Sequence, residues 1–176
     1  RMLPHANFPH IVSNYDLSKT ILNGSTLPYQ IFNKDGTKVG VFGLGVELEG
    51  LVIQNLYKET KYQNPVEVAK EMVQELNAQK CDLIICLSHL GYAYENNSEK
   101  ISDVKLASEV SGIDLIIGGH THTYLDVPTV ITNSEGHDTI INQVGWAGTN
   151  LGRVDFEFAN GSKKALAYNL SSIILS

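Results

Sequence analysis

The sequence has little positive charge and no long apolar run. Its 176 residues include 13 lysines and arginines against 19 acidic residues, for a formal net charge of −6. Nucleic-acid binding needs a basic surface, so this balance argues against nucleic acid as a partner. No apolar run approaches the roughly 18 residues of a membrane span. The composition, 43% hydrophobic and 18% charged, is typical of one globular domain.

Cysteine is scarce, with only Cys81 and Cys86 in "CDLIIC". An odd separation along a strand puts the two side chains on opposite faces, so we expect free thiols and no disulfide between them. The opening residues, "RMLPHANFPH", lack the apolar core of a signal peptide. Because the chain begins with Arg1, we expect a processed or truncated product.

Apolar runs alternate with helical patterns through the middle of the chain. Buried strands are predicted at Val39–Leu44, Asp82–Leu87 and Leu115–Ile117. Asn64 followed by Pro65 marks the start of one helix. A second helix is predicted over residues 98–110, with Ile101, Val104, Lys105 and Ser108 on or beside one stripe and Ala107 close by. This β-α-β order predicts a parallel sheet and an α/β fold.

The pattern changes after Pro128 to short strands and turns. Asn160 and Gly161 form a tight-turn dipeptide between two alternating runs, which predicts an antiparallel hairpin. The expected class is therefore α/β with an antiparallel end, or α+β.

Three histidines follow predicted parallel strands: His89 in "LSHLG", and His120 and His122 in "GGHTH". Parallel strands place their C-terminal ends at one edge of the sheet, so these imidazoles should meet there. Alternate residues of extended backbone can aim two imidazoles at one metal, and the preceding glycines allow close approach. A lone His89 is more typical of a hydrogen-bonded strand end. We expect His5, His10 and His137 to be structural. Trp146 is expected to serve packing, with the lining of a substrate cleft as the alternative.

Carboxylates that could bridge two metals are poorly placed. Asp82 and Asp114 lie at the opposite ends of the strands that lead to the histidines, roughly 20 Å away. Glu95 and Asp126 have no spacing that points to a site. The histidines alone predict either a zinc site with one open position or part of a two-metal centre.

The motifs "LSHLG" and "GGHTH", about thirty residues apart, resemble the last two metal motifs of calcineurin-like metallophosphoesterases, in the 5′-nucleotidase and UDP-sugar hydrolase branch. The stretches "ANFPHIVSNYD", "KVGVFGLG" and "VGWAGTNLGRVDFEF" also fit that branch. The resemblance therefore extends over nearly the whole chain. It implies the C-terminal half of a four-layer α-β-β-α sandwich, which residues 1–176 would supply.

The resemblance also implies the site. His89 and His120 would bind one divalent ion and His122 the other, with Zn²⁺ or Mn²⁺ expected from the ligand types. Relatives of this branch often have glutamine where His122 stands. The family's first three motifs, which include the bridging aspartate and the catalytic histidine, have no counterpart here. We therefore expect no catalytic residue in this chain, and the N-terminal motif-bearing half and the C-terminal substrate domain to be absent.

The expected function is metal-dependent hydrolysis of phosphomonoesters, and specifically of nucleotides, with this chain alone nearly inactive. The alternative is a non-catalytic metal-binding or interaction module that uses only the three histidines. We expect a small-molecule substrate and no membrane span. We also expect the chain to associate, either with a missing N-terminal segment or with a second copy of itself. The resemblance implies a periplasmic or extracellular location.

Overall fold

The computed structural model describes residues 5–97, 99–159 and 162–170. Within those ranges the elements follow in this order: β1 (Tyr15–Asp16), β2 (Tyr29–Lys34), β3 (Thr37–Leu44), α1 (Gln54–Tyr57), β4 (Lys61–Tyr62), α2 (Pro65–Ala78), β5 (Leu83–Ser88), α3 (Asp103–Glu109), β6 (Leu115–Ile117), β7 (Thr129–Thr132), β8 (Asp138–Asn142), β9 (Leu151–Ala159) and β10 (Ser162–Leu170). The three buried strands predicted from the sequence correspond to β3, β5 and β6.

A six-stranded sheet in the order β2-β3-β5-β6-β8-β7 organises the fold. Its four central strands are parallel, and an antiparallel hairpin partner closes each edge. Because the central strands are parallel, their C-terminal ends meet at one edge of the sheet. The mixed sheet with crossing helices confirms the expected α/β class.

Helix α2 begins where the sequence predicts. The Asn64 side chain accepts hydrogen bonds from the backbone N–H groups of Val66 and Glu67, and Pro65 occupies the first turn. The Glu67 carboxylate pairs with Lys70 at 3.1 Å. The helix buries one stripe against the sheet, formed by Val66, Val68, Ala69, Val73 and Leu76.

Helix α3 differs from the prediction over residues 98–110. It begins at Asp103, because the Ser102 hydroxyl accepts from the N–H of Lys105 and acts as the cap. Ser98 lies outside the described residues. The fully buried face consists of Asp103, Leu106 and Ala107. Ile101 and Val104 of the predicted stripe also pack against the core, whereas Ser108 is exposed. Asp103 is the one charged member of that face, and it is fully buried.

Different elements cover the two faces of the sheet. Alternate residues Ile84 and Cys86 of β5 join the core beneath α2 and α3. The intervening residues face a cavity of about 570 Å³ that is also lined by Val154 and Phe156 of β9. Lys163 of β10 fastens this hairpin by pairing with the buried Asp114 at 2.6 Å. The predicted turn at residues 160–161 lies outside the described residues.

The β9–β10 hairpin thus covers part of the face opposite the helices. Exposure is concentrated at the histidine end of the strands, where Leu87 is 41% and Ile117 46% exposed. Cys81 and Cys86 are both free thiols, as predicted. No helix among the described residues is long and apolar enough to cross a membrane.

Candidate metal centre

His89 follows β5 directly, at the edge where the parallel strands end. Its backbone N–H donates to the carbonyl of Leu44 at 2.8 Å, which extends the β3–β5 pairing by one residue. The preceding Ser88 donates its hydroxyl to Asp103 and accepts from the N–H of Leu90 at 3.1 Å. The backbone on both sides of His89 is therefore held by buried hydrogen bonds.

His120 meets His89 across the neighbouring strands. The two ring centroids are 5.2 Å apart, and the rings make an edge-to-face angle of 69°. Gly119 permits this approach, because a Cβ atom there would lie 3.0 Å from His89 Nδ1. Burial, followed by the positive charges of His89, Lys100 and His122, lowers the pKa of His120. A lowered pKa favours the neutral imidazole, which is the form that binds metal ions.

The backbone of the His120–His122 segment is not extended as the sequence suggested. Both histidines adopt left-handed conformations, with φ values of 71° for His120 and 54° for His122. Such conformations cost a non-glycine residue about 1 to 3 kcal/mol and persist only where surrounding contacts impose them. The reversal of the chain at Thr121 directs the two imidazoles to different neighbours.

His122 stacks on Trp146. The ring centroids are 5.7 Å apart and the planes are 14° from parallel. Trp146 is 68% exposed, so the expectation that it serves core packing was wrong. Its loop turns through left-handed conformations at Gly145, Ala147 and Gly148. The indole of Trp146 thus covers one face of the His122 ring, while most of the indole surface is open to solvent.

Two buried polar residues near the histidines were not identified from the sequence. Asp103 is fully buried, and its Oδ2 atom has no hydrogen-bond partner. Burial raises the pKa of Asp103 to about 7, and the hydrogen bond from Ser88 lowers it in part. Gln143 is 2% exposed and follows β8. The sequence held a weak signal for Asp103, a charged residue where α3 turns inward, and none for Gln143.

Asp82, Asp114 and His137 lie away from this edge. Asp82 accepts from the N–H of Lys38, and Asp114 from that of Ile84, at the opposite ends of the strands, as predicted. His137 contacts the carbonyl of Ile113 near the start of β6. In the part of the chain that the structure describes, no group of three or more histidine, cysteine, aspartate or glutamate side chains is placed to hold a metal ion.

The donor set fits part of a metal site. His89 and His120 offer two adjacent imidazoles, and the lowered pKa of His120 favours its ligating form. Zinc and manganese accept imidazole nitrogen, but a pair of such ions also requires a bridging carboxylate. Among the described residues no carboxylate joins the histidines in a group of three or more that could hold a metal ion. These residues therefore fit a metal whose other ligands come from elsewhere.

Comparisons with known proteins identify the family of this chain. The profile of the calcineurin-like phosphoesterase family matches residues 5–124. The chain is 32% identical over 191 residues to a 5′-nucleotidase of Vibrio parahaemolyticus, an alignment that covers 97% of the chain and 33% of the relative. It is 39% identical over 132 residues to the trifunctional nucleotide phosphoesterase protein YfkN of Bacillus subtilis, which covers 74% of the chain and 8% of that protein.

The fold has close counterparts among solved structures. The crystal structure of a 5′-nucleotidase precursor from Thermus thermophilus superposes with a TM-score of 0.79 at 29% identity, covering 97% of this chain and 35% of that one. The chain spans about a third of the length of this structure and of the Vibrio relative. On the family match over residues 5–124, the chain belongs to the calcineurin-like phosphoesterase family.

Proposed function

We propose that this chain supplies three histidine ligands to a two-metal centre that hydrolyses phosphomonoesters, and specifically nucleotides. The observation that carries the proposal is the meeting of His89 and His120, which come from different strands and lie 5.2 Å apart. Two strand-end imidazoles, one exposed at His89 and one partly buried at His120, can share one metal ion at this edge. The 5′-nucleotidases among the relatives support nucleotides as the substrate class.

Each histidine has a distinct role in the proposal. His89 and His120 hold one divalent ion, Zn²⁺ or Mn²⁺, and His122 contributes to the second. When bound, such ions polarise the phosphoryl group and generate a nucleophile at neutral pH. The chain's own residues orient the imidazoles and keep His120 in its neutral form. Trp146 limits the directions that the His122 ring can take, because it covers one face of that ring.

Local positive charge suits an anionic substrate. The Lys100 ammonium lies 4.0 Å above the centre of the Tyr94 ring and close enough to His120 to influence its pKa. Tyr94 in turn donates to the carbonyl of Leu90 at 2.6 Å, beside His89. In a chain with a net charge of −6, this cation and the metal ions are what would attract a phosphoester.

The proposal assigns the bridging carboxylate and the catalytic residues to protein outside these 176 residues. It is supported by the finding that no carboxylate among the described residues completes a metal-binding group with the histidines, and by the relatives' greater length. From the resemblance to 5′-nucleotidases we also propose a periplasmic or extracellular location. The incomplete ligand set also favours the second candidate, a metal-binding module without catalysis.

Nucleotidase assays separate the two candidates. The product of the complete coding sequence is assayed with AMP and a chromogenic phosphomonoester in the presence of Mn²⁺, beside its His120→Ala variant and the 176-residue chain alone. We expect turnover by the complete product, a loss of at least a hundredfold in the variant, and almost none by the chain. A metal-loaded complete product without phosphatase activity would favour the binding module. Ordinary enzymic rates from the chain alone would contradict the shared site.

A further inference from the structure

Gln143 reaches across to the histidine turn with its whole side-chain amide. Its Nε2 atom donates to the carbonyl of Gly119 at 2.9 Å. Its Oε1 atom accepts from the N–H of Thr123 at 2.5 Å and from the hydroxyl of Thr121 at 3.1 Å. One buried side chain therefore binds three residues of a five-residue span that contains both His120 and His122.

The chemistry of the contacts fixes the orientation of the amide. A carbonyl can only accept and a backbone N–H can only donate, so a flipped amide would set oxygen against the Gly119 carbonyl and nitrogen against the Thr123 N–H. The Gln143 backbone is anchored as well, because its carbonyl accepts from the N–H of Leu125 at 3.0 Å. The side chain thus extends from a fixed strand end and offers a donor and an acceptor in fixed positions.

The same contacts connect the two histidine-bearing loops. The Thr121 hydroxyl, which donates to Gln143, accepts from the N–H of Tyr92 at 3.0 Å. Tyr92 lies three residues after His89. Thr121 itself stands between two residues in left-handed conformations, a backbone arrangement that surrounding contacts must maintain.

We infer that Gln143 is a positioning residue of this site: its amide holds the Gly119–Thr123 turn in the conformation that directs His120 toward His89 and His122 toward Trp146. The inference rests on the proposed metal-binding function but makes a separate claim about the metal-free protein. Asparagine is one methylene too short to make both contacts from the same backbone position. Glutamate keeps the acceptor and loses the donor to Gly119.

The test compares Gln143→Leu with Thr139→Val. Thr139 lies on β8, the strand that Gln143 follows, and is fully buried. It donates one hydrogen bond to the carbonyl of Ile113 at 2.8 Å, so its variant loses a buried polar contact away from the histidines. The metal-free readouts are hydrogen exchange of the Thr123 amide and the Cα chemical shifts of His120 and His122. The metal readout is Zn²⁺ affinity by calorimetry.

In Gln143→Leu we expect the Thr123 amide to exchange at least tenfold faster and the histidine Cα shifts to move away from left-handed values. We expect Zn²⁺ affinity to fall about tenfold, the effect typical of residues that orient metal ligands. Thr139→Val should lower the melting temperature and leave all three readouts unchanged. If Gln143→Leu does not fold, Gln143→Glu takes its place, because glutamate keeps the shape of the side chain. In that variant we expect changes in the same three readouts that are intermediate in size.

If a folded variant shows the wild-type exchange rate at the Thr123 amide and wild-type Cα chemical shifts at His120 and His122, the inference is wrong. Gln143 would then contribute only to packing. If the wild-type chain binds no Zn²⁺, the proposed metal site fails, and the metal-free readouts alone decide the role of Gln143. The two failures are therefore distinguishable.

Discussion

Ser88 donates its hydroxyl to Oδ1 of Asp103 at 2.5 Å, which links the residue before His89 to the first turn of α3. The acceptor is a fully buried carboxyl group, and burial raises its pKa to about 7. The thiol of Cys86 also faces it and stays neutral, because burial raises the pKa of that thiol. Below pH 7 the core therefore holds Asp103 as a neutral acid.

The raised pKa predicts that stability falls as pH rises. Between pH 3.8, its ordinary pKa, and about pH 7, Asp103 keeps its proton in the folded protein and loses it in the unfolded chain. The free energy of unfolding therefore falls as pH rises across this window, and the loss is complete above it. Three pKa units correspond to about 4 kcal/mol, which is an upper bound. Asp103→Asn should remove this slope. Urea unfolding of the variant and of wild type at pH 4 to 8 measures it.

The comparison has a matched control. Asp126 is exposed, and Asp126→Asn should unfold in parallel with wild type at every pH. If the free-energy curves of Asp103→Asn and wild type also run parallel between pH 4 and 7, Asp103 ionises normally in the folded protein and the buried-acid description is wrong.

The ion pair between Lys163 and Asp114 should contribute to stability. Asp114 is 5% exposed, and its partner's side chain is 39% exposed. Removing one member of a fully buried pair costs about 3–5 kcal/mol, and the exposure of Lys163 reduces this to about 1–2 kcal/mol. Lys163→Met should therefore lower the free energy of unfolding by that amount. Lys164→Met, at the exposed neighbouring position, should change it by less than about 0.5 kcal/mol. If both changes lower the free energy of unfolding equally, the ion pair between Lys163 and Asp114 does not stabilise the fold.

The sole tryptophan reports on His122. Trp146 stacks on that ring, and paramagnetic ions such as Ni²⁺ quench indole fluorescence at short range. Titration with Ni²⁺ should quench the emission of wild type and of His137→Ala, whose histidine lies at the other end of the sheet. His122→Ala should lose most of the quenching. Undiminished quenching in His122→Ala would show that no ion binds at this ring.

The exposed apolar residues at the histidine end predict association. Leu87 and Ile117 lie on adjacent strands and face away from the helices, and such patches commonly mark interaction surfaces. We expect the 19.3 kDa chain to associate with itself or with another segment of the protein. The double change Leu87→Ser with Ile117→Ser should reduce this association. Ile21→Ser, at a 97% exposed position, is the control. Light scattering that finds wild type a monomer without a bound peptide would contradict this.

The sequence predicted what depends on neighbouring residues. Continuous apolar runs marked β3, β5 and β6, and Asn64 with Pro65 marked the start of α2, since both signals are local. The shared edge followed from β-α-β order, which brings His89 and His120 together. The start of α3 did not follow, because the first helical residue, Asp103, is held by Ser88 of β5, a contact that the local sequence does not show.

The conformation of the histidine turn could not be read locally. His-Thr-His suits extended backbone, yet both histidines are left-handed, because Gln143 and Tyr92 bind the turn from twenty or more residues away. Contacts of that kind leave no periodic pattern in the sequence. Trp146 was misjudged for the same reason, since its position beside His122 depends on a loop of glycines that resembles any other turn.

Metal binding by His89 and His120 is the central claim, and calorimetric titration with Zn²⁺ at pH 7.5 tests it most directly. Wild type and His137→Ala should bind one ion weakly, and His89→Ala and His120→Ala should each weaken binding at least tenfold, because each removes one of two adjacent imidazoles. Affinity should also decline as pH falls and the ligands take up protons. Zinc binding of equal strength in wild type, His89→Ala and His120→Ala would contradict the account.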